Sequence, residues 1–164
     1  MTTQELAGLT LKSSVQDPER ELVRAKLQEQ LVDLLDLTLL SKQAHWNLIG
    51  REFAPLHEFL DVLVDELREY SDDMAERVTA LGFAADGRSA TVAQHSTVST
   101  LPEGFLSTDD VSRAFTERLL EFTSVARERL KVVGEHDPVS EDLLIEMLRG
   151  LEKRLWMIQA QATV

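Results

Sequence analysis

The 164-residue sequence contains no cysteine, which excludes disulfide frameworks, zinc ribbons and thiol catalysis. Basic residues are few: 17 Lys and Arg stand against 29 Asp and Glu, for a formal net charge of −12. That balance argues against a sequence-independent grip on nucleic acid, which needs cations to neutralise phosphates, and suits a surface that concentrates cations. No apolar run approaches a membrane span, and the opening MTTQELAGLTLKSS lacks the basic-then-apolar pattern of a secretory signal. A cytoplasmic protein is expected, with nucleoid association as a variant. Hydrophobic residues make up 43 %, enough to exclude wholesale disorder.

Glycine and proline number only 7 and 4 and fall where helices would begin and end. Asp17-Pro18 reads as an N-cap followed by proline at the first helical position. Leu22, Val23, Leu27, Leu31, Leu34, Leu35 and Leu39 then recur at helical spacing towards Asn47, with Gly50 as the stop. Pro55 opens a second helix that Gly82 closes. Ser107 or Thr108 caps a third, stopped by Gly134, and Asp137-Pro138 opens a fourth that reaches about Gln161. Gly150, inside the fourth, reads either as a mild propensity penalty or as a point of close packing.

Helices one and two, and three and four, are joined by a few residues, so each pair should be antiparallel. The stretch between Gly82 and Ser107 is long enough to travel the length of a bundle, with a short helix expected around 91–97. Two hairpins and one long crossover between helices two and three describe an all-α, ferritin-like four-helix bundle. The expected organisation is a tail over 1–17, the bundle over 18–161 and a short C-terminal end over 162–164.

The second helix carries the chemistry. At about 100° per residue, Leu60, Leu63, Leu67, Tyr70, Met74, Val78 and Leu81 share an apolar stripe. His57, Asp61, Asp72 and Glu76 fall together beside it. One imidazole and three carboxylates resemble ligands for a divalent metal, although a solvated acidic helix face has the same pattern. His57 and Glu76 are about 28 Å apart along the helix, so one helix cannot wrap one ion with all four. The pairs 57/76 and 61/72 share one midpoint, between Glu66 and Leu67. Two copies packed antiparallel about that point would set His57 opposite Glu76 and Asp61 opposite Asp72, making two identical sites that belong to a dimer. His45, at the end of the first helix, should converge on His57 across the turn. Trp46 beside it either fills the core or offers an oxidisable ring. The Glu-x-x-His ligand pair of intrachain di-iron bundles is absent, since Lys42, Ala54, Val92 and Val133 precede the histidines by three.

Lys42-Gln43-Ala44-His45-Trp46-Asn47, Leu56-His57-Glu58, Asp61, Asp72, Met74-Ala75-Glu76-Arg77 and Leu81-Gly82, with Leu151-Glu152-Lys153 and Trp156 near the end, resemble the Dps family over roughly residues 20–160. The family is named for DNA binding in starved bacteria and forms ferritin-like mini-cages. The resemblance implies a hollow dodecamer with ferroxidase sites between two-fold-related subunits: His45, His57 and Asp61 from one, Asp72 and Glu76 from its partner. It implies oxidation of Fe²⁺ to Fe³⁺ by hydrogen peroxide, with dioxygen as a second oxidant, and storage of ferric oxide. Zn²⁺ would tolerate the same His/carboxylate set as a competitor. Glu135, Asp137, Glu141 and Asp142 cluster at the fourth helix start, and by resemblance Asp142 matches an acidic position of the family's three-fold entrance pore.

The tails depart from the family name. Residues 1–17 hold Lys12 against Glu5 and Asp17, and the segment MIQAQATV after Trp156 holds no charged side chain. Neither offers the basic charge that phosphate binding needs, so DNA association is doubtful. Two rivals stand beside the ferroxidase: a nucleoid-compacting structural protein with secondary metal binding, and a catalytically silent helical scaffold that only sequesters metal. His95 and His136, in the crossover and a turn, read as surface residues.

Overall fold

Each long amphipathic helix has an apolar stripe that it cannot bury alone, and a bundle buries all four against one another. A computed structural model describes residues 11–161. Its helices are α1 (Glu19–Asn47), α2 (Phe53–Ala80), the short α3 (Ser89–His95), α4 (Thr108–Gly134) and α5 (Pro138–Gln161), with two-residue strands β1 (Leu48–Ile49) and β2 (Leu106–Ser107). α1 packs most extensively on α2, and α4 on α5, while α1 with α4 and α2 with α5 close the bundle. The core is leucine-rich: Leu27, Leu34, Leu37, Leu60, Leu63, Leu67 and Leu119 are fully buried around Phe115. Each such side chain contributes about 1.5–3 kcal/mol of burial.

The expected helices are all present, with local corrections. Asp17 does not cap α1; its carboxylate takes two hydrogen bonds from the Arg20 guanidinium, at 2.9 and 3.1 Å, and Pro18 occupies the cap position. α2 starts two residues before Pro55, which the first turn tolerates because its N–H would be unpaired there. The crossover helix lies at Ser89–His95 rather than 91–97, and α4 runs through Gly134. Ser107 does cap α4, accepting from the Asp110 amide at 3.1 Å. Leu22 and Leu39, expected in the core stripe, are 39 % and 64 % exposed, because leucines extend around more of α1 than its neighbours cover. Of the sequence-defined ends, 1–10 and 162–164 lie outside the described residues.

Half-buried and buried polar side chains tie the crossover down. Gln28 exchanges two hydrogen bonds with the Asp86 backbone, each 2.9 Å. Asp33, 2 % exposed, accepts from the amide and hydroxyl of Thr97 and from Arg129, whose guanidinium also donates to buried Gln30. Arg118 donates to the carbonyls of Ser99 and Thr100. The crossover then returns beside the α1–α2 turn through a parallel β1–β2 ladder, Leu48 opposite Leu106, which sequence periodicity did not signal. Gly150 meets α2: a Cβ there would sit 2.0 Å from the Tyr70 hydroxyl, so the close-packing reading holds.

Candidate metal centre

The α1–α2 hairpin is pinned by Leu48 and Leu56, both 2 % exposed. With so short a connection, the last turn of α1 must lie against the start of α2. His45, 7 % exposed, and half-buried His57 meet there with ring centroids 3.5 Å apart. Each imidazole Nδ1 donates to the other residue's backbone carbonyl, both at 3.1 Å. A carbonyl only accepts, so both Nδ1 atoms carry the proton and both Nε2 lone pairs are left for a ligand. Phe53 stacks on His57 at 4.9 Å and helps to hold the ring.

Asp61 lies one turn beyond His57. Donor atoms of His45, His57 and Asp61 fall within 4.8 Å of one another. Among the described residues no other group of three or more His, Asp or Glu side chains converges so closely. Lys42, one turn before His45, places its ammonium 2.5 Å from Asp61 Oδ1. That hydrogen bond holds the Asp61 carboxyl below the usual carboxylate range, against partial desolvation and with the added pull of the cationic charge and the two imidazoles. Two imidazoles and a carboxylate suit Fe²⁺ or Zn²⁺, and three protein donors leave coordination positions open.

Asp72 and Glu76 are exposed further along the same stripe of α2, and the chain does not bring them to the cluster. Asp72 instead edges a groove of about 780 Å³ between α1, α2 and α3, walled by Leu35, Leu39, Ser71, Ala75 and Val92. Trp46 is 67 % exposed and therefore does not fill the subunit core. Asp142 is exposed near the start of α5. The acidic cluster read there is smaller than the sequence suggested: Asp137 is 3 % exposed, paired with Arg77 at 2.6 Å and bonded to Ser140. His95 is exposed and His136 half-buried, both apart from the cluster.

Sequence reasoning missed Lys42 and Phe53 as neighbours of the site. Their spacing was a usable signal, since Lys42 precedes His45 by three and Phe53 precedes His57 by four, one helical turn in each case. Among the described residues, no helix is long and apolar enough to cross a membrane.

Residues 24–164 match the family model of the ferritin-like domain. The chain is 35 % identical over 135 residues to a DNA protection during starvation protein of Agrobacterium fabrum, spanning 82 % of this chain and 83 % of that one. It is 37 % identical over 139 residues to the fine tangled pili major subunit of Haemophilus ducreyi, spanning 85 % and 74 % respectively. The solved structure of Dps from Microbacterium arborescens in the high iron form superposes with a TM-score of 0.85 at 29 % identity, covering 92 % of this chain and 98 % of that one.

Proposed function

Because the chain belongs to the Dps family within the ferritin-like superfamily, we propose that it is a cytoplasmic ferroxidase that oxidises Fe²⁺ and stores the ferric product inside a hollow dodecamer. The observation that carries this reading is the convergence of His45, His57 and Asp61 donors within 4.8 Å. Fe²⁺ is the substrate, held by those three residues and completed by Asp72 and Glu76 of the partner subunit. Two Fe²⁺ ions each give one electron to one hydrogen peroxide, which takes two protons and leaves as two waters. Consuming the oxidant in a two-electron step denies Fe²⁺ the one-electron route to hydroxyl radical. Carboxylates favour Fe³⁺ over Fe²⁺, so the ligand set drives the reaction forward. Trp46 serves as an oxidisable ring at the edge of the site, and Asp142 draws cations towards the interior.

The test is anaerobic Fe²⁺ loading followed by a peroxide pulse, with ferric absorbance recorded on wild type and on Asp72→Ala/Glu76→Ala. Fast oxidation in wild type and near-background rates in an assembled variant are expected. Equal rates would overturn the ligand assignment. Mixing that variant with His57→Ala/Asp61→Ala should restore activity, because some interfaces then receive both intact halves.

A nucleoid-compacting protein is the second reading, favoured by the name of the Agrobacterium fabrum relative. The formal charge of −12 works against it. A strong, salt-sensitive gel shift would establish it.

A further inference from the structure

We infer that Asp65 and Arg68 form two reciprocal ion pairs with a second copy of this chain, and that these pairs set the register that completes the metal centre. The inference rests on the proposed shared site. At about 100° per residue, positions 57, 61, 65, 68, 72 and 76 all fall on one stripe of α2. Asp65 and Arg68 occupy its middle, with side chains 75 % and 62 % exposed. Within one chain they make only a loose contact, Arg68 to Asp65 Oδ1 at 3.6 Å.

Both residues are equidistant from the midpoint between Glu66 and Leu67, the same point that relates 57 to 76 and 61 to 72. In an antiparallel contact centred there, Asp65 faces Arg68 of the partner subunit and Arg68 faces Asp65 of the partner subunit. Sliding the copies by three residues one way sets Asp65 against the partner's Asp65. Sliding them the other way sets Arg68 against the partner's Arg68. Either slip replaces two attractions by a repulsion, which specifies one register against its nearest competitors. Such a device matters before iron arrives, because Asp61 then faces the carboxylate of the partner's Asp72, offset by Lys42 and the neighbouring imidazoles of its own chain. Beside the stripe, exposed Leu39, half-buried Leu35 and the small side chains Ser71 and Ala75 offer apolar surface and room for close approach.

Charge exchange tests this directly in metal-free protein. Asp65→Arg and Arg68→Asp each place like charges across the axis, so each alone should associate at about tenfold higher concentration than wild type, or not at all. Mixing the two variants makes both cross-axis pairs complementary again, as does Asp65→Arg/Arg68→Asp in one chain, and both should assemble like wild type by analytical ultracentrifugation. Rescue on mixing cannot come from an effect within one chain. Single variants that assemble as wild type does, or a mixture no better than its components, would overturn the inference. The complementation of Asp72→Ala/Glu76→Ala by His57→Ala/Asp61→Ala reports on the shared site separately. Its success beside indifferent charge variants refutes the ion pairs alone, and its failure beside a charge-dependent interface refutes the shared site.

Discussion

His45 and His57 orient each other: their rings stack at 3.5 Å, and each Nδ1 is held 3.1 Å from the other's carbonyl oxygen. Each histidine is thus both a candidate ligand and the group that fixes the other's tautomer. Titrating histidine-labelled protein with Zn²⁺ should move the Nε2 nitrogen resonances and leave the Nδ1 resonances protonated. His57→Ala should weaken divalent binding through loss of one ligand and of the ring stacked on His45, while the backbone carbonyl at position 57 still accepts from His45 Nδ1. A shift at Nδ1 instead would contradict the arrangement.

Lys42 competes with a metal for Asp61. Replacing it by methionine keeps the apolar stem and removes the ammonium, so Zn²⁺ affinity near neutral pH should rise a few-fold. The Asp61 carboxyl lies below its ordinary value of 3.8, so its ionised form is complete above that value and is lost as pH falls through the lowered one. Lys42→Met removes the hydrogen bond that lowers that threshold, so in the metal-free variant the Asp61 carboxyl should titrate nearer its ordinary value. Calorimetric titration over the acid range reads both effects.

Asp137 joins the start of α5 to α2. Burial pushes its carboxyl up, but the Ser140 and Arg77 hydrogen bonds outweigh this and leave it below the ordinary range. Asp137→Ala removes those bonds and leaves the Arg77 guanidinium without its ion-pair partner, held only by the Ser140 hydroxyl at 2.9 Å, at an expected cost of about 2 kcal/mol in chemical denaturation. The contribution is complete above the ordinary value of 3.8 and is lost as pH falls through the lowered one. The difference between wild type and variant should therefore shrink in acid.

Gly150→Ala improves helix propensity by about 1 kcal/mol yet should destabilise the protein. The new methyl would meet the Tyr70 hydroxyl at 2.0 Å and its ring carbon at 3.1 Å, forcing the ring off α5. A net loss of about 1–2 kcal/mol is expected. In a Tyr70→Phe background the worst contact is gone, so the two changes should couple by at least about 0.5 kcal/mol in a double-mutant cycle.

Helix boundaries and faces were legible because they depend on local chemistry. Proline and glycine punctuate α1, α2, α4 and α5 to within a few residues, and the stripe from Leu60 to Leu81 is buried save for half-exposed Tyr70. The convergence of His45 and His57 followed from a short turn between two periodic segments. Spacing thus determined which side chains share a side of a helix and which helices can pair.

It could not determine what stands opposite those side chains. Leu39 repeats in phase with buried leucines yet is 64 % exposed, because among the described residues no other element covers that part of α1. Asp137 looked like one more surface acid until Arg77, 60 positions earlier, was found against it. Asp33 and Arg129, 96 positions apart, pair only because the bundle brings α1 beside α4. The free nitrogen of each histidine and the ammonium on Asp61 were likewise decided by packing. Periodicity fixes an angle about one axis, whereas a hydrogen bond depends on the distance between two, and only the assembled bundle sets that distance.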